Sequence, residues 1–293
     1  GDMLAKYISI AEWRMAHVIT GEYYCEVVAT LIRDSLKKCV EHADGLLKRE
    51  EQAVEAVFEG LVYAGAAMSY AGVSRPASGV EHYFSHLWDM RGVEFGEPIS
   101  THGIQCAVGT YIAAGLYEKV LAITPDEEKA LAYAKAFDYS AWAEQLRIFL
   151  GTAADTMIAL EEKEQKYSVA KHQARLQVIL EKWDTLCRII REEIPSQKEI
   201  ADILEQIDAP KTPAEIGIDC DLEGLGCAQS SGRPQGIVGL CCGRAGQELV
   251  AHHIKEAVSS GVVAILQAEA GHPVIGYDLD YAVFIRCHPG AAA

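Results

Sequence analysis

The chain has 293 residues, with 42 acidic against 26 basic side chains and a formal charge of -16. A surplus of that sign disfavours a phosphate-rich polymer or an anionic surface as a general partner, so neither nucleic acid nor membrane is expected. No apolar run approaches the roughly 18 residues that cross a bilayer. Residues Gly1 to Tyr7 lack the basic and apolar regions of a secretory signal, so a cytoplasmic protein is expected. The nine cysteines are scattered and form no C-x-x-C pair, which predicts reduced thiols.

From the start to about Ile218 apolar residues recur at three- and four-residue spacing, as in the stripe Leu31, Ile32, Leu36 and Val40, which predicts a succession of helices. The segment Glu50 to Met68 is rich in Ala and Glu and free of Pro, and predicts a long buried helix. Pro125-Asp126-Glu127-Glu128 places acidic residues in a helical first turn. Tyr139 to Ile194 reads as one long helical stretch, and its run from Glu161 to Lys166 as a solvated face. Pro195-Ser196 opens the next helix, and Pro210 and Pro213 frame a turn. The fold class expected is mostly α.

After Ile218 the character changes. Residues 219 to 293 hold 11 of the 25 glycines and five of the nine cysteines. A helix from about 246 to 259 and strand-like pieces at 262 to 266 and 281 to 285 are the elements expected there. The vicinal pair Cys241-Cys242 and the histidines His252, His253, His272 and His288 carry no recognisable motif.

The segment with chemical content runs from Ser74-Arg75-Pro76-Ala77-Ser78-Gly79 through His82 and His86, followed by Thr101-His102-Gly103. Residues four apart on a helix share a face, so His82 and His86 project to one side. Ser78 reads as the N-cap, with backbone donors beside it facing whatever lies by the histidines. A zinc-type ion needs imidazole and carboxylate ligands, with one position open if it is to act on substrate. His102 begins a further helical stretch, and Asp2 is a candidate carboxylate. By residues alone, an H-x-x-x-H pair is an ordinary core or surface pair about as often as a site.

The series resembles the iron-containing alcohol dehydrogenase and dehydroquinate synthase superfamily, and within it the sn-glycerol-1-phosphate dehydrogenase branch, over residues 1 to 218. The resemblance rests on Gly1-Asp2-Met3-Leu4-Ala5-Lys6, on Ser74 to His82, and on His102-Gly103 leading to Val108-Gly109-Thr110. It implies a dehydroquinate synthase-like helical domain that binds metal and substrate, with Asp2, His82 and His102 as metal ligands and His86 as a catalytic residue beside nicotinamide and substrate. Asp2 and the Ser-Arg-Pro element distinguish it from 3-dehydroquinate synthase, and the latter element from glycerol dehydrogenase.

The reaction so implied is the NAD(P)-linked interconversion of dihydroxyacetone phosphate and sn-glycerol 1-phosphate, a step of glycerophospholipid metabolism. Zinc is the ion expected, with nickel or iron as alternatives. Arg75 and Ser78 are candidates to grip the substrate phosphate, and pairing of Arg75 with a neighbouring carboxylate is an equal alternative. In this branch an α/β nucleotide-binding domain precedes the Gly-Asp motif. Only Gly1 does so here and no G-x-G-x-x-G occurs, so the chain is expected to lack that domain and to bind NAD(P) poorly. Residues 219 to 293 are expected to form an atypical tail. Apolar surface left open by the absent half favours a homo-oligomer. A non-catalytic remnant, a metal-dependent interaction module and a helical metallohydrolase are the other readings.

Overall fold

The computed structural model describes residues 1–218, apart from 166. The Gly- and Cys-rich segment, with its expected helix and strands, lies outside the described residues. Among those described, ten α-helices and no strand occur, so the mostly α class holds.

Helix α1 (Lys6–Thr20) runs through the centre and buries ten residues, among them the polar Lys6, Ser9 and Glu12. It packs against α9 (Val169–Glu193), α2 (Glu26–Glu41) and α4 (Val80–Phe95), while α4 lies along α5 (His102–Leu121). Ile8, Met15, Phe84, Trp88, Tyr117, Leu146 and Phe149 belong to the largest apolar cluster, which α7 (Tyr139–Leu150) and α8 (Ala154–Glu164) close. Burying such side chains stabilises by about 1.5–3 kcal/mol each relative to exposure. A second cluster joins Met3, Leu4 and Leu36 to Ile200 and Leu204 of α10 (Gln197–Gln206). Glu193 joins three helices: it accepts from Arg33 Nε and Nη2 at 2.9 and 2.7 Å and pairs with Arg14.

The starts of α6 and α10 follow their sequence signals. Asp126 caps α6 (Glu127–Ala136) by accepting from Lys129 N at 3.0 Å, and Ser196 with Glu199 forms a capping box on α10. Three expectations are corrected. Helix α3 (Glu51–Ala71) covers the Glu50 to Met68 segment but buries only its small-residue face, Ala53, Ala56, Gly60, Ala64 and Ala67. Val54, Phe58, Leu61 and Val62 stay 51, 70, 40 and 53 % exposed. Composition predicts the helix, but it is the close approach of α2 to the alanine face that decides which side is covered. The stretch from Tyr139 to Ile194 is not continuous, since a 3-10 turn at Gly151–Ala153 separates α7 from α8 and a further break precedes α9. Within the charged run Glu161 is buried, whereas Glu162 and Lys163 are exposed.

Candidate metal centre

Residues Gly1 to Ala5 form a turn leading into α1, and the Gly1 backbone lies against the start of α5. A Cβ on Gly1 would fall 1.7 Å from the Gly103 carbonyl oxygen, so only glycine permits this approach. The two glycines of the Gly-Asp and His-Gly motifs therefore meet, and their neighbours Asp2 and His102 are carried to one point. Asp2 Oδ1 lies 3.1 Å from His82 Nε2 and 3.8 Å from His102 Nε2. The ligand atoms of Asp2, His82, His102 and Cys106 all lie within 4.8 Å of one another.

Both imidazoles present Nε2 because their Nδ1 atoms are committed elsewhere. His82 Nδ1 lies 2.7 Å from Glu81 Oε1, and a carboxylate only accepts, so Nδ1–H donates. For His102 the argument runs through a relay. Gln105 Nε2 donates to Asp89 at 3.2 Å, which turns Gln105 Oε1 toward Ser85. The single hydroxyl proton of Ser85 is given to Gln105 Oε1 at 2.6 Å, so Ser85 Oγ accepts from His102 Nδ1–H at 2.9 Å. Partners of this outer kind fix tautomer and ring orientation at metal sites.

Asp2 is buried enough that desolvation would raise its pKa, but the bond to His82 and the charge of Lys6 hold it well below the usual carboxylate range. Lys6 Nζ, itself buried, bonds Asp2 Oδ1 at 3.0 Å and the Ala77 carbonyl at 2.7 Å. Burial would lower the pKa of His82, yet its bonds to Asp2, Cys106 and Glu81 raise it well above the ordinary value. The cluster thus attracts positive charge strongly enough to hold a proton where the donor set of one carboxylate and two imidazoles fits a divalent ion.

The start of α4 differs from the reading that made Ser78 the N-cap. Gly79 occupies that position, and the free donors are taken by carboxylates: Gly79 N donates to Glu81 at 2.9 Å and Val80 N to Glu12 at 3.0 Å. Glu12 reaches in from α1 and also accepts from Tyr117 Oη at 2.8 Å. These amides do not face the histidines, because nearer carboxyl oxygens of Glu81 and Glu12 satisfy them.

Burial, and then the nearby negative charge of Glu81, push the Glu12 carboxyl up to about 8. At this group the folded chain keeps a proton that the unfolded chain has released, so the stability Glu12 contributes is fully present below the ordinary value of 4.5 and is lost as pH rises toward about 8. Glu12→Gln, a neutral isostere, is expected to flatten that decline in thermal melts between about pH 5 and pH 8. An unchanged slope would place the pH dependence in another group.

His86 follows His82 by one turn, with its ring centroid 6.4 Å from that of His82 and 6.1 Å from that of His102. The structure therefore gathers Asp2, His82, His86 and His102. Arg75 stands on the loop before α4 with Nε 2.8 Å from Glu22 Oε1, the carboxylate pairing weighed above. Ser78 lies on the same loop, its amide bonded to the Ser74 carbonyl at 3.0 Å. Sequence reading missed Lys6, the relay through Ser85 and Gln105, and Cys106. For Cys106 a signal was present: it follows His102 by four residues, and so shares its helical face.

Fold and site together define a helical domain in which one carboxylate and two imidazoles converge on a point that could hold a metal ion. The chain is similar to proteins named glycerol-1-phosphate dehydrogenase [NAD(P)+]. One, from Geobacillus thermodenitrificans, is 33 % identical over 165 residues, covering 56 % of this chain and 40 % of the relative. Another, from Thermococcus sibiricus, is 42 % identical over 117 residues, covering 40 % of this chain and 32 % of the relative. A third, from Geobacillus stearothermophilus, is 29 % identical over 223 residues, 76 % of this chain and 46 % of the relative. The chain thus spans less than half the length of these enzymes. No protein-family model matches it.

Proposed function

We propose that residues 1 to 218 are the metal- and substrate-binding part of an NAD(P)-linked enzyme interconverting dihydroxyacetone phosphate and sn-glycerol 1-phosphate in the cytoplasm. The observation that carries this reading is the convergence of Asp2, His82 and His102 in a chain whose relatives bear that enzyme's name. Asp2 Oδ1 and the two Nε2 atoms hold the ion, with zinc favoured over nickel or iron. The bound ion supplies Lewis acidity toward the ketone oxygen, and the nicotinamide supplies the hydride.

The chain's own residues do the rest. Glu81 and Ser85 keep the two ligand imidazoles in the tautomer that points Nε2 inward. His86, half-buried beside both ligands, exchanges the proton of the product alcohol with solvent. The amides at the start of α4 are already occupied, so the substrate phosphate is held by side chains, and Arg75 and Ser78 stand on the loop that leads into α4 and its ligand His82. Arg75 then exchanges Glu22 for the phosphate.

The test is calorimetric titration of the zinc-loaded chain with sn-glycerol 1-phosphate and with glycerol. Saturable heat with the phosphate ester alone, abolished in Arg75→Ala, is the expected result. Equal responses to the two ligands, or none to either, would remove the substrate assignment.

A further inference from the structure

We propose that Cys106 supplies a fourth, thiolate ligand to the ion held by Asp2, His82 and His102, so that without substrate the centre is a closed Asp-His-His-Cys cage. The inference rests on the metal-centre reading above and concerns what occupies the position a substrate must reach.

Three observations carry it. Cys106 lies one turn after His102 on α5, wholly buried, with Sγ 3.5 Å from His102 Nε2 and 3.9 Å from Nδ1. In a tetrahedral centre, arms of about 2.0–2.1 Å to nitrogen and about 2.3 Å to sulfur place the two donors about 3.5 Å apart. The nitrogen and oxygen arms set their donors about 3.4 Å apart, and the observed separations from Asp2 Oδ1 are 3.1 and 3.8 Å. Three of the six edges of a coordination tetrahedron are thus close to their expected lengths, and all four ligand atoms lie within 4.8 Å of one another. Cys39, buried too, is different: its Sγ bonds the Ala56 carbonyl at 3.1 Å, as a packed structural thiol does.

Binding proceeds with loss of the Cys106 thiol proton to solvent and formation of a sulfur–metal bond, with no change of oxidation state. A soft thiolate favours zinc or cobalt over magnesium or manganese. A closed four-ligand set also obliges a substrate oxygen to enter as a fifth ligand or to displace the sulfur.

Cobalt(II) titration of the chelator-stripped chain distinguishes the outcomes. The expected result is a near-ultraviolet sulfur-to-cobalt charge-transfer band together with the visible bands of tetrahedral cobalt. Cys106→Val is expected to lose the first and keep the second, with zinc affinity lowered by about tenfold or more. Cys106→Ser, checked for native helical content by circular dichroism, guards against misfolding of the valine variant. Visible bands without the charge-transfer band in the intact chain overturn the thiolate ligand and leave the Asp-His-His centre standing. So does a charge-transfer band that survives in both folded variants. Absence of all cobalt bands overturns the centre itself.

Discussion

Substituting His82 by alanine is expected to reduce bound zinc from about one ion per chain to background, while the helical content of the chain persists. His82 is the ligand nearest Asp2, at 3.1 Å, and the only one whose ring is both buried and anchored by a carboxylate. Its loss leaves Asp2 and His102, whose donor atoms are 3.8 Å apart, with the His102 side chain 41 % exposed and Cys106 as the proposed further donor. A set that has lost its anchored imidazole no longer fills a tetrahedral site, and the ion is expected to be lost on purification. His102→Ala should behave alike. Ser85→Ala should be milder, because it removes the acceptor of His102 Nδ1–H and not a ligand, and a weakening of about 10- to 100-fold is expected. Metal content by mass spectrometry, with affinity from competition against a chelator, ranks the series. Equal metal in the intact chain and in His82→Ala would show that the ion sits elsewhere.

The second large effect is expected at Gly109, seven residues after His102 on the same face of α5. A Cβ there would lie 2.5 Å from the Glu81 carbonyl oxygen, and 3.1 and 3.2 Å from two further backbone atoms of Glu81. Since the opposing atoms are backbone, no rotamer change relieves the clash, and α5 must move away from α4. Overpacking of this kind costs about 3 kcal/mol or more, a fall in Tm of about 6–12 °C for a domain of this size. Because Glu81 also anchors His82, Gly109→Val should lose zinc affinity as well as stability. An overpacking mutant distant from the site would lose stability alone. Gly109→Ala with unchanged Tm and zinc affinity would mean that α4 and α5 are not in this contact.

The same contact explains why motif and fold were legible to different degrees. The Val108-Gly109-Thr110 and His102-Gly103 elements could be matched as a pattern, yet the pattern gives no reason for its glycines. The reason is the approach of two backbones, Gly103 to Gly1 and Gly109 to Glu81, and it exists only once α1, α4 and α5 are assembled. Arg75 was open between phosphate and carboxylate for a like reason, since Glu22 is 53 residues away in the chain.

By itself, the sequence determined what depends on local spacing: the helical class, the starts of α6 and α10, the shared face of His82 and His86, and the donor types at Asp2, His82 and His102. Periodicity and capping act over a few residues, so they can be read along the chain. Only the tertiary structure decided what depends on meetings between distant segments. These are the buried carboxylates that close the start of α4, the exposed apolar side of α3, the relay that sets the His102 tautomer, and the thiol of Cys106 turned toward the ligands. Each arises where one helix face meets another, and burial, approach and hydrogen-bond partner at such a meeting belong to the pair of surfaces, not to either stretch of sequence.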